Sequence, residues 1–296
     1  MEAMETSAST PARPPHPTRA SPSPSPSPSS MRLWRPAALR NLRNQWSDLL
    51  KAKDRWLAAA ADGRSHASAL VNAHLSRRYM PGMDLGALKD MPGIREKASG
   101  KLARREEQCR DMLVSAYREM VLAVADLVKA SRSMRCYSKG PANSPLAKFS
   151  DSQDDLNDSG DGGGAPVSKW FSILEFESLA QELVAMFIPE LQLKRLLVME
   201  LLSINCKEAL EDRMPLNWTD EIYSGEFSEF QCIGLQPGES SPLPENWHDL
   251  SGNQRSEAPS HEILQVYLTT WLANVNIKMN RIDEIFELVA EEIRNR

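Results

Sequence analysis

FESLAQELVAMFIPELQLKRLLVMELLSINC occupies Phe176 to Cys206. Its first part carries an apolar stripe at helical spacing: Phe176, Leu179, Ala180, Leu183, Val184, Phe187 and Ile188. Its second part, Leu196 to Leu202, is apolar on nearly every side. A helix of that kind must be surrounded by other elements. Pro189 removes a backbone donor and clashes with the carbonyl four residues back, which predicts a kink or a fresh start there. The central element is therefore a kinked helix within 169–213, and the rest of the chain has to cover it.

The chain has 296 residues, 25% charged and 41% apolar, enough for a core in one or two domains. Its glycine content, 14 residues, is low, which favours helix. The net charge of −5 conceals an asymmetry. Residues 1–149 hold 25 Lys and Arg against 13 Asp and Glu, and residues 150–296 hold 10 against 27. Halves of opposite sign pack on each other or face partners of opposite charge. Cys109, Cys136, Cys206 and Cys232 show no metal or redox spacing. Reduced thiols are expected, and the sequons at Asn157 and Asn217 are read as chance matches. No uncharged apolar run approaches the ~20 residues of a membrane span.

Residues 1–30 form a Pro/Ser/Ala tail ending in a Ser-Pro repeat, and are expected to be disordered. The tail's Ser and Arg content resembles an organelle transit peptide, but its proline density opposes an amphipathic helix. Met31 offers an alternative start. A basic helical region follows over 31–133. Its first helix is expected from Pro36 to Ala61, with Leu39, Leu42, Trp46, Leu49, Lys53, Trp56 and Ala60 in alternating steps of three and four. Asp62-Gly63 is expected to close it. A shorter helix from Ser65 to Tyr79 buries Leu70, Val71 and Leu75. A long third helix spans Pro92 to Ser133, capped by Asp90. Its first half is charged, and its second half buries Leu113, Tyr117, Met120, Val121, Val124, Leu127 and Val128. An acidic Gly/Ser/Asp linker is expected over 134–168, and an irregular acidic loop over 214–259. Ser260 caps a single final helix over 260–296, whose seam steps through Leu264, Leu268, Trp271, Val275, Lys278, Ile282, Ile285, Val289 and Glu292.

Motifs for chemistry are few. Asp155 to Asp161 imitates the opening of a calcium loop, but Pro166 stands where a bidentate Glu belongs. Gly160 to Gly164 has no preceding strand and no Lys-Ser/Thr, so it is not a phosphate cradle. The histidines form no ligand set. No catalytic residue, cofactor site or metal site is read from the sequence. A pocket lined by Trp218, Tyr223, Trp247 and His248 is the one place an enzyme reading attaches. Trp34, Arg35, Arg40 and Arg43 are the candidate partner contacts, by phosphate neutralisation and stacking, against a plainer role for Trp34 in anchoring the first helix. Thr10, Ser21, Ser23, Ser25, Ser27, Ser144 and Ser241 precede proline and Ser152 precedes acids, so these are candidate phosphosites.

The expected fold class is all-α: an elongated antiparallel helical bundle with coiled-coil-like seams, a disordered N-terminal tail and acidic internal linkers, with 31–296 as one composite domain. The expected function is a non-catalytic adaptor or structural subunit of a larger assembly, cytoplasmic or nuclear, with protein partners or self-association through its seams. The alternative is a nucleic-acid-binding protein using the basic half.

Overall fold

The computed structural model describes residues 28–136, 160–204, 216–236 and 259–294. Among these there are six α-helices and no strand. They are α1 (Pro28–Tyr79), α2 (Ile94–Arg132), α3 (Ile173–Leu202), α4 (Glu226–Ile233), α5 (His261–Ala273) and α6 (Met279–Arg294). Two short 3-10 turns, Met80–Gly82 and Gly86–Leu88, join α1 to α2.

α1 runs for 52 residues, about 78 Å at the α-helical rise. The stop expected at Asp62-Gly63 does not occur, and a tertiary contact explains why. The Trp271 ring lies over Gly63, where a Cβ would stand 2.5 Å from its Cζ2 atom. The Trp271 indole Nε1 donates to the Ala60 carbonyl at 2.9 Å. Glycine here makes a notch in a continuous helix, not an end. The helix also begins before Pro36, which lies inside it rather than in its first turn. The expected seam is buried at Leu39, Leu42, Trp46, Leu49, Trp56 and Ala60.

α2 packs antiparallel against α1. Asn41 Nδ2 donates to the Ser133 carbonyl at one end, Arg55 pairs with Glu119 and Asp126 midway, and Arg77 meets Glu106 at 2.9 Å near the other. All seven apolar residues expected in its second half are buried. Its N-cap is Gly93, at φ 67°, not Asp90. That left-handed conformation suits a residue with no Cβ.

α3 starts with a capping box, Ser172 with Glu175, which satisfies orphan N–H groups at both positions. It continues through Pro189 without a fresh start and ends at Leu202. The proline ring faces solvent. Phe176, Ala180, Leu183 and Phe187 are buried, as are Leu197, Val198, Met199 and Leu201. The stretch read as surrounded is buried at four of its seven positions, and Leu196, Glu200 and Leu202 are half-buried. α3 runs antiparallel to α2: Glu177 pairs with Arg135 at 2.7 Å, and Arg110 reaches the Ile204 carbonyl at 2.7 Å. Edge-to-face rings tie it to α1, Trp56 with Phe187 at 5.4 Å and Trp46 with Phe176 at 6.4 Å, and Trp46 of α1 also meets Phe286 of α6 at 5.7 Å.

The single final helix is replaced by two. Ser260 caps α5, accepting from the Ile263 amide at 3.3 Å. Asn274 then takes a left-handed conformation, φ 46°, and ends it. Asparagine is among the few residues that tolerate this backbone. Val275, which belonged to the expected seam, is exposed, and α6 restarts the buried row at Ile282, Ile285 and Val289.

Parts of both expected linkers are built into the bundle. Gly160 accepts from the Cys136 amide at 3.3 Å. Gly162 leaves no room for a Cβ beneath the Trp34 ring, and Val167 is buried. Residues 216–236, expected irregular, contain α4, bounded by Gly225 and Gly234, both left-handed. The remainder of the two linkers and the Pro/Ser tail up to residue 27 lie outside the described residues.

Candidate functional site

Lys194 and Arg195 stand side by side inside the apolar part of α3, and both are buried. A buried charge is tolerated only when paired and fully hydrogen-bonded. Each has found its own partners.

Arg195 meets Glu226, the first residue of α4, with Nε donating to Oε1 at 2.9 Å. Its other nitrogens donate to the carbonyls of Trp218 and Asp220, each at 2.8 Å. Glu226 also accepts from the Tyr117 hydroxyl at 2.6 Å and from the Ile222 amide at 2.7 Å. The guanidinium lies 4.4 Å from the Trp218 ring centre, a stacked cation–π arrangement. α2, α3 and the 216–236 segment are thereby joined at one carboxylate. The left-handed Gly225 places Glu226 at a helix N-terminus, where negative charge is favoured. Burial pushes the Tyr117 hydroxyl well above its usual range, and the Glu226 carboxylate adds to the shift. Burial and the bond to Glu229 raise Tyr223 in the same way.

Lys194 forms the second cluster. Its Nζ lies 2.8 Å from Glu190 Oε1 and donates to the Trp271 carbonyl at 2.6 Å. Glu190 Oε2 accepts from the Asn276 amide at 2.9 Å and from its Nδ2 at 3.1 Å. Burial lowers the Lys194 ammonium, and Glu190 works against the shift. This cluster fixes the break between α5 and α6 onto α3.

Three arginines of the basic half dock on carbonyls at or beyond helix C-termini of the acidic half. Arg110 takes Ile204, Arg132 takes Cys232 and Ile233, and Arg43 takes Ile293. Cations suit those ends, whose last carbonyls lack helical partners. The opposite charges of the halves are used, at least in part, within the chain.

The residues singled out in the sequence fall in different places. Trp34 is buried, and its indole N–H donates to the Cys136 carbonyl. Arg35 is half-buried, and Arg40 and Arg43 are exposed. Trp218 and Tyr223 belong to the Arg195 region, whereas Trp247 and His248 lie outside the described residues. The space against Arg195, bounded by Leu191, Trp218, Phe230 and Leu235, is about 10 Å³, no more than one water fills. Arg195 and Glu226 are spent on each other, on Tyr117 and on backbone groups, so the cluster can hold segments together, and the described residues leave no substrate-sized room beside it. All eight candidate phosphosites lie outside the described residues, as does all of the calcium-like loop except Gly160 and Asp161. Among the described residues no group of His, Cys, Asp and Glu is placed to hold a metal, and no helix is long and apolar enough to cross a membrane.

The sequence reading missed both clusters. The available signal was Lys194-Arg195 inside a run that is otherwise apolar all round, since such charges must either break the helix's burial or find acids. Which acids, 4 and 31 positions away, no local pattern states.

A further candidate surface is the outward side of α5. Ile263, Val266, Thr270 and Ala273 recur at steps of three and four and share one face. Ile263 is 44% and Val266 60% exposed. The opposite face, Leu264 and Trp271, is buried against the bundle. Leu272 and Val275 are exposed nearby. Comparison of the chain with protein-family models, with curated proteins and with solved structures gives no match.

Proposed function

We propose that this protein is a non-catalytic helical adaptor or structural subunit of a larger protein assembly, acting in the cytoplasm or nucleus. The observation that carries the reading is the second apolar row of α5. A helix that serves only its own bundle needs one apolar stripe, and α5 adds Ile263, Val266 and Ala273 on its exposed side, with half-buried Thr270 between them. A row at steps of three and four is what an amphipathic partner helix lies along. The two buried ion clusters support the reading, because they hold α4, α5 and α6 rigidly on α3 and keep the outward row in a fixed position. Phosphorylation at Thr10, Ser21, Ser23, Ser25, Ser27, Ser144, Ser152 or Ser241 is proposed to tune partner affinity by adding charge.

Size-exclusion chromatography with light scattering, on the full chain at several concentrations, tests self-association. Co-purification from native tissue tests other partners. The expected result is a defined homo-oligomer or a stoichiometric partner. A lone monomer in both measurements contradicts the proposal.

A further inference from the structure

The connection between α1 and α2 presents two kinds of exposed side chain together. Tyr79, Met83, Leu88 and Met91 are each between 46 and 52% exposed. On the adjoining turns of α2, Lys97, Lys101, Arg104 and Arg105 are exposed, and their offsets of four, seven and eight put them on one face. From Arg78 to Arg105 the chain holds seven basic residues and three acidic ones, Asp84, Asp90 and Glu96.

This tip has a defined shape. The Arg95 guanidinium donates to the carbonyls of Met80, Pro81 and Met83, which fastens the turn to the start of α2. Asp84 accepts from the Gly86 amide at 3.0 Å. The apolar side chains are therefore held outward by a braced loop. The described part of α3 ends beside Arg110, so the tip lies beyond it.

We propose that the α1–α2 tip is a docking surface for anionic membrane, with Leu88, Met91 and their neighbours entering the headgroup boundary and the α2 basic face lying on acidic lipid. Charge complementarity supports the basic face, since an anionic leaflet attracts clustered Lys and Arg. The arrangement of the apolar residues supports a bilayer over a protein. They stand on a loop at irregular spacing, so no row exists for a partner helix to follow, whereas a fluid boundary requires no register. Nucleic acid would use the same cations but leaves Leu88 and Met91 without a role.

The test is sedimentation of the full chain with phosphatidylcholine vesicles, with and without roughly a third phosphatidylserine. Binding is expected to the anionic vesicles and to weaken with salt. The quadruple variant K97Q/K101Q/R104Q/R105Q is expected to lose about tenfold or more in affinity. L88S/M91S, which leaves the charge unchanged, is expected to lose at least about threefold. L288S, on the exposed side of α6, is expected to bind vesicles as the wild type does. All these positions are exposed, and circular dichroism checks that each variant is folded. Equal partition to neutral and anionic vesicles, or no binding to either, overturns the proposal. So does retention on RNA or DNA that the quadruple variant loses while L88S/M91S has no effect on vesicle binding.

Discussion

Gly63 and Gly100 are both helical glycines, one in α1 and one in α2, with opposite surroundings. At Gly63 an added methyl collides with the buried Trp271 ring, and at Gly100 it meets nothing within 4 Å. Gly100→Ala should therefore gain about 0.5–1 kcal/mol by restricting the unfolded chain. Gly63→Ala should lose about 1–3 kcal/mol through overpacking, despite the same gain in helix propensity. Denaturant midpoints at unchanged slope measure both, and shifts of equal sign would contradict the notch. Tyr117 gives a pH prediction. Its folded pKa is raised, so its contribution to stability is fully present below the ordinary value near 10.0 and is lost as pH rises through the folded value. Lys194 has the opposite sign, because its folded pKa is lowered from 10.5 and its protonation opposes folding. Stability should thus fall as pH rises from about 10 to about 11, less steeply in Tyr117→Phe and more steeply in Lys194→Met. A flat profile for the wild type across that range would remove the argument.

At the scale of elements, the break between α5 and α6 depends on Asn274. Asn274→Val puts a β-branched residue at positive φ and should destabilise by about 1–2 kcal/mol, whereas Asn274→Gly should be neutral or stabilising. Thermal denaturation of the two variants distinguishes this from a helix that runs through. The same break shows what periodicity conveys. The apolar rows of α1, α2 and α3 were legible because each recurs at helical spacing over several turns, and burial follows the rows closely in α1 and α2, while in α3 Leu179, Val184 and Ile188 are half-buried. Ends were less legible, because Gly63 and Asn274 exchange roles through contacts more than 80 positions away in the chain. Gly63 reads as a stop, yet Trp271 converts it into a notch. Asn274 falls off the seam, inside what reads as one helix over 260–296, yet it tolerates a left-handed turn that Glu190 fixes through Asn276. The buried pairs Arg195–Glu226 and Lys194–Glu190 were illegible for a related reason, since acids abound in this half and only packing selects among them.

Across the whole molecule, the opposite charges of the two halves meet in places such as Arg135–Glu177 and Arg118–Glu229 and at helix C-terminal carbonyls. Among the described residues, the uncovered features include an apolar patch on α5, a basic, apolar-tipped projection between α1 and α2, and Trp170, which is 68% exposed. The proposed adaptor role rests on the first of these surfaces and the proposed membrane docking on the second. The most direct measurement is quantitative co-purification with the wild type, Val266→Asp and an α2 surface control such as Asp111→Asn. A charge in the centre of the row should abolish partner or self-association while helicity and denaturation midpoint stay unchanged, and the control should retain it. Association that survives Val266→Asp in full would contradict the assignment of the α5 row as the interface.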